Sequence, residues 1–232
     1  MKERQILFKG EMVRAILSGQ KTQTRRILKP QIEPFGRDGK GFKWAGKKPN
    51  SKYGEWTTSG DLSDPRDLKL FMSEACPNGK AGDRLWVRET FALEQQVESD
   101  QKPPHDDGRP IKYEGEFDNE WVQPHYRATD KTPELGYDDM PEDVDHMCRW
   151  KPSIFMPRWA SRINLEIVSV RVDRLQGISR GDAMAEGCPF PNIAKETDPK
   201  QWYRDLWEQI NGAGSWDLNP WVWVIEFKRV AQ

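Results

Sequence analysis

Gly19-Gln20-Lys21-Thr22-Gln23-Thr24-Arg25-Arg26 is the stretch around which the chain is organised. Ahead of it, Met12, Val13, Ile16 and Leu17 recur at helical spacing, and Gly19 supplies a helix stop. Behind it, residues 22–28 alternate and carry β-branched side chains, which predicts a strand closed by Pro30. Helix, glycine and strand therefore meet at a turn dense in groups that attack, hold a proton or bind an anion.

Outward from the turn, residues 5–9 read as a strand and 10–18 as the helix. Residues 30–81 change character: Gly, Pro, Lys, Asp and Ser dominate, with a hairpin expected over 51–59. Gly82-Asp83 opens a strand with Leu85 and Val87 on one face and Arg84, Trp86 and Arg88 on the other. A second polar insertion, 94–150, carries His105, His125 and His146, with short strands expected at 111–113 and 121–126.

Residues 161–174 give the longest strand signal. Ser179 caps a short helix that stops at Gly187, and Asp198-Pro199 starts another. That second helix places Trp202, Leu206 and Ile210 four residues apart, with Tyr203 and Trp207 alongside. In the last strand, 221–230, Trp221, Trp223, Ile225 and Phe227 share one face and Val222 and Val224 the other, which predicts burial on both sides. Strands outnumber helices and connections are short. The expected fold is α+β: one domain, 1–232, built on a small mixed β-barrel with flanking helices and two long insertions at about 30–81 and 94–150.

Charged residues make up 31% of the 232, yet the formal net charge is −1, so no global basic bias marks a nucleic-acid binder. Cys76, Cys148 and Cys188 are isolated and odd in number, which points to reduced thiols and a cytoplasmic setting. No signal peptide fits the first residues, and no apolar run approaches the ~20 residues of a membrane span.

Several residues are candidates for chemistry. Thr24 is a weak nucleophile until a base takes its proton, and Lys21 is such a base only when burial or cationic neighbours lower its pKa. The same residues also read as a solvated basic turn complementing a helix C-terminus. Glu186, in Ala183-Met184-Ala185-Glu186-Gly187, sits poorly with the helix dipole and calls for a cationic partner; an exposed last-turn glutamate is the plainer reading. Arg88 suits a phosphate or base edge, though such arginines are more often paired surface groups, and Trp86 or Trp159, if exposed, a stacked base, with core packing the plainer reading. The three histidines and Cys148 match no tight metal motif, so no metal and no cofactor are expected.

These pieces resemble the ASCH domain family, whose β-barrel is related to the PUA fold. The resemblance rests on residues 16–26, close to a G-x-K-T-x-T-x-R signature, on Gly82-Asp83 and its strand, on 163–174 leading to Glu186, and on 222–227. It is with the longer ASCH proteins of bacteriophages and prophages. Small bacterial members hydrolyse N4-acetylcytidine and related N4-acylated cytosines through a proposed Lys, Thr and Glu triad. By motif these roles fall on Lys21, Thr24 and Glu186, with Arg26 lining the pocket. The resemblance implies a metal-independent amidohydrolase acting on a modified cytosine nucleoside. Other PUA-like members bind RNA or single-stranded nucleic acid, or are ribonucleases, and that remains the alternative.

Overall fold

The computed structural model describes residues 1–35, 41–47, 55–61, 76–96, 108–114, 120–130, 149–189 and 198–231, and shows a mixed α+β chain. Five strands form the main sheet: β1 (Glu3–Leu7), β2 (Gln23–Ile27), β6 (Arg84–Arg88), β10 (Asn164–Arg174) and β11 (Trp221–Val230), in the order β1-β6-β10-β11-β2. β1 runs parallel to β6, while the other neighbours are antiparallel. Among the described residues no backbone pairing closes this sheet; instead Arg26 Nη2 donates to the Leu7 carbonyl at 2.7 Å, linking the two edge strands.

The 30–81 stretch holds its own antiparallel sheet of β3 (Glu33–Phe35), β4 (Gly41–Lys47) and β5 (Glu55–Asp61). The hairpin expected within 51–59 does not form there: residues 55–59 belong to the one strand β5, which pairs with β4 from Gly41↔Asp61 to Lys47↔Glu55; residues 51–54 lie outside the described residues. A third sheet, in the order β7-β9-β8, joins β7 (Phe91–Gln96), β8 (Lys112–Glu114) and β9 (Glu120–Tyr126). Buried contacts tie it to the main sheet: Arg162 pairs with Glu89 at 2.9 Å and stands over the Tyr126 ring, and Tyr126 donates to the Ala160 carbonyl. Burial pushes the Glu89 carboxyl up, against the pull of Arg162.

β11 is the spine, and its alternation explains why. Trp223, Ile225 and Phe227 pack with Ile6, Val13 and Ile16 into one core. Val222 and Val224 pack on the opposite face with Leu175, Tyr203 and Trp207 into a second. Helix α1 (Gly10–Leu17) covers the first face; α2 (Arg180–Ala185) and α3 (Pro199–Asn211) cover the other. Among the described residues no helix is long and apolar enough to cross a membrane.

At the start of β6, Asp83 collects the Lys2 and Lys80 backbone N–H groups and the Arg4 guanidinium, which locks the Gly82-Asp83 turn to β1. Cys76 and Cys188 are free and buried; burial raises the Cys76 thiol to about 11, which leaves it an inert core residue.

Candidate active site

α1 ends at Ser18, and Gly19 takes a φ of 78°, which reverses the chain without a Cβ penalty. The next residues are stitched down on two sides. Lys21 N–H donates to the Ala15 carbonyl and Thr22 N–H to the Ala185 carbonyl, while the Thr22 carbonyl accepts from Phe227 N–H. Lys21 and Glu186 form an isolated antiparallel bridge, so the end of α2 lies directly against the turn. Gly187 makes that approach possible: at φ 98°, a Cβ there would sit 3.0 Å from Ala15 Cβ and 3.3 Å from Lys21 Cβ.

The bridge brings two side chains together across 165 positions. Lys21 Nζ donates to Glu186 Oε2 at 2.7 Å and to the Glu186 carbonyl at 2.8 Å. The Lys21 side chain is 0% exposed and that of Glu186 3%. Arg25 Nη1 reaches Glu186 Oε1 at 3.2 Å, and Arg25 Nη2 reaches Asp182 Oδ2 at 3.2 Å. Lys21 and Arg26 both stand over the Phe8 ring, 5.7 and 5.3 Å from its centroid. Thus Glu186, read from residue types as an exposed last-turn group, is a buried carboxylate held by two cations.

A chain of charges fixes α2 in place. Asp182 and Ser179 form a capping box, and Asp182 also pairs with Arg171 at 2.9 Å. Arg171 in turn pairs with Asp173 and Glu226. Burial works against the Asp182 charge, but the Ser179 hydrogen bonds and the two arginines outweigh it and hold its carboxyl below the usual range. Gln23, with its amide nitrogen turned toward Asp182 Oδ1, donates there at 3.1 Å.

Burial is also the main influence on Lys21. It lowers the ammonium's pKa, helped by Arg26 and Arg25 and opposed by Glu186, so the net shift is downward from 10.5. A neutral amine has two N–H bonds and one lone pair. Both N–H bonds are taken up by Glu186, which leaves the lone pair as the remaining face of the nitrogen. The sign for stability follows: between the lowered folded value and the unfolded one, the unfolded chain binds more protons, so Lys21 adds stability as pH rises through that window. For catalysis by the free amine, kcat/KM should climb with pH along a limb whose midpoint lies below 10.5. A pH–rate profile checks this; a limb at or above the ordinary lysine value contradicts it.

Two cavities meet at Glu186. A smaller one, about 120 Å³, is lined by Thr24, Arg25, Arg26, Glu186, Tyr203 and Trp207 among others. A larger one, about 390 Å³, is lined by Gln20, Glu186, Trp202 and Leu206 among others. Glu186, Met12 and Leu206 border both. Thr24 is 4% exposed, and no described residue hydrogen-bonds its hydroxyl. The α3 stripe therefore has a different use from the one its spacing suggests. Tyr203 and Trp207 form the buried face and also line the smaller cavity, while the less buried Trp202, Leu206 and Ile210 line one cavity or both.

Lys21 meets Glu186, and Glu186 lines one cavity with Thr24 and Arg26, but Arg88 and Trp86 do not join them. Trp86, a stacking candidate only if exposed, is buried on β6 with Arg88 and Arg158 over its ring, in line with core packing as the default reading. Trp159, the other stacking candidate, packs against the core of Phe91, Tyr126 and Met156. His125 lies within 2.6 Å of Glu94 in the third sheet. His105, His146 and Cys148 lie outside the described residues.

The chain matches no family model, no curated protein and no solved structure. The sequence points to Arg25 only as a cationic neighbour of Lys21, and gives no site role to Asp182, Trp202, Tyr203 or Trp207. The only advance signals were the Ser179-to-Asp182 capping spacing and the arginine next to Thr24.

Proposed function

We propose that the chain is a metal-independent amidohydrolase that removes the acyl group from N4-acylated cytosine nucleosides. With this goes the finer fold reading, an ASCH-type, PUA-like barrel with two insertions acting in the cytoplasm. The observation that carries the proposal is the buried Lys21–Glu186 pair at 2.7 Å, whose Glu186 lines a cavity together with Thr24, a residue with no side-chain hydrogen bond among the described residues. Burying two charges is costly, and replacing such a pair by apolar groups is often neutral or stabilising. A pair retained at a cavity, with the lysine shifted toward its neutral form, suits proton transfer better than packing.

In the reaction, Thr24 Oγ1 attacks the acyl carbonyl as Lys21 Nζ takes its proton. The tetrahedral oxyanion collapses, the C–N4 bond breaks, and Lys21 returns the proton to N4. Water then hydrolyses the threonyl ester, releasing the carboxylate. Glu186 orients the amine and stabilises its charged form. In the other division of labour Thr24 donates to the oxyanion and water attacks directly. Trapping one acyl group on Thr24, read as a mass increase of the intact protein, separates the two. The larger cavity accommodates the nucleoside, with Trp202 as the aromatic wall in place of Trp86.

The alternative, a phosphate cradle for RNA or single-stranded nucleic acid, needs free guanidinium groups at the turn. Arg25 is instead paired with Glu186 and Asp182, and Arg26 is tied to the Leu7 carbonyl. That engagement favours hydrolysis. The test is a panel of N4-acylcytidines incubated with the full chain in EDTA. Release of cytidine supports the proposal; inert substrates together with RNA binding that weakens steeply with salt would favour the cradle.

A further inference from the structure

Resting on the amidohydrolase reading, we propose that the substrate is the phosphorylated nucleoside, an N4-acylcytidine monophosphate, and that Lys9, Arg14 and Arg127 hold its phosphate in a basic cleft beside the larger cavity.

The cleft has a volume of about 370 Å³ and lies where α1 begins, against the turn that follows β9. Three cations, Lys9, Arg14 and Arg127, line it against one carboxylate, Glu11, which leaves a surplus of two positive charges. The Arg14 guanidinium is fixed in this cleft. Its Nη1 donates to the Ala128 carbonyl at 3.0 Å and stands 3.7 Å from where a Cβ on Gly10 would sit, and both Gly10 and Ala128 are walls of the cleft. Lys9 and Arg127 are exposed, and neither has an ion-pair partner among the described residues. At the catalytic turn, by contrast, Arg25 is spent on Glu186 and Asp182 and Arg26 on the Leu7 carbonyl. Unpaired ammonium and guanidinium groups around one concavity suit a phosphate, whose oxygens accept several charge-assisted hydrogen bonds at once.

The position of the cleft relative to the nucleoside decides the substrate class. Glu11 and Arg14 border both the cleft and the 390 Å³ cavity, whose lining also includes Ala15, Gln20 and Glu186. Glu11 lies four residues before Ala15 on α1, one turn or about 6 Å along the axis, which is room for a ribose. With the acylated N4 at Glu186, the ribose falls at the Glu11–Arg14 junction and its phosphate beyond it, among the cations. Glu11 then does not oppose the ligand: at the junction its carboxylate accepts from ribose hydroxyls.

The test compares N4-acetylcytidine with its 5′- and 3′-monophosphates as substrates of the full chain in EDTA. The expected result is a kcat/KM for one of the monophosphates about 10-fold or more above that of the nucleoside at low salt, an advantage that shrinks as ionic strength rises. Arg127 is exposed and lines neither cavity at Glu186. Arg127→Glu should therefore lower the ratio of nucleotide to nucleoside kcat/KM by about 10-fold or more. Calorimetric binding of the cytidine monophosphates against cytidine, which needs no turnover, should show the same preference and the same loss in the variant. Equal or lower kcat/KM for both monophosphates overturns the inference while leaving deacylation intact. So does an oligonucleotide with one internal N4-acetylcytidine that is a better substrate than either monophosphate, which would assign the cleft to an RNA backbone. Preferential, Arg127-dependent binding of a monophosphate without deacylation of any acylcytidine keeps the phosphate site and defeats the amidohydrolase reading. If Arg127→Glu does not fold, the wild-type comparison decides.

Discussion

Lys21→Met is expected to lower deacylation on the order of 1,000-fold or more, because it removes the base while keeping the length of the side chain. The same change should also destabilise the fold. Glu186 would remain buried, with Arg25 at 3.2 Å as its ion-pair partner. Removing one member of a buried pair costs about 3–5 kcal/mol, and the surviving arginine puts this case near the lower end. For a chain of this size that corresponds to a fall in melting temperature of roughly 6–12 °C. The loss should depend on pH. In the wild type the lowered Lys21 pKa adds stability as pH rises through its window, a contribution the variant lacks. Its stability gap to the wild type should therefore narrow as pH falls. Adding Glu186→Gln to Lys21→Met should recover part of the stability and none of the activity, because the amide carries no charge to strand. Thermal melts of the three variants across pH check each statement. Equal melting temperatures throughout would mean the pair is not buried as described.

Thr24→Val should separate catalysis from folding in the opposite way. The hydroxyl of Thr24 has no described partner, so its replacement by a methyl group of similar shape strands nothing. Thr24 pairs in register with Ile225 on β11, and valine suits a strand as well as threonine. The melting temperature should stay within a few degrees of wild type or rise, while deacylation falls on the order of 1,000-fold. A stability gain combined with a loss of activity is the pattern of a residue kept for chemistry. If Thr24→Val retains activity, Thr24 is neither nucleophile nor oxyanion donor.

The parts of the structure visible in the sequence are those in which periodicity and local chemistry agree. The two-faced pattern of 221–230 reports burial on both sides, and β11 lies between two cores as that pattern requires. Gly19, the Ser179 cap and Asp198-Pro199 mark helix ends because φ preference and capping are local properties. Pairing partners are another matter. Nothing in the alternation of 84–88 says that it pairs in parallel with residues 3–7; that is set by Asp83 gathering the Lys2 and Arg4 groups.

The site divides along the same line. Lys21 and Thr24 stand out by their proximity in one turn, but the meeting with Glu186 across 165 positions was reached through resemblance and not from residue types. Trp86 and Trp207 show why aromatic roles are hard to read. Both sit at core spacing, yet one is covered by arginines and the other lines a cavity.

The most direct test is chromatographic detection of cytidine and acetate formed from N4-acetylcytidine by the full chain in EDTA at neutral pH, with Thr24→Val run in parallel. The prediction is stoichiometric release of both products by the wild type and almost none by the variant. Substrate left intact by the wild type, or products formed equally by Thr24→Val, would contradict the assignment of Lys21, Thr24 and Glu186 as a hydrolytic unit.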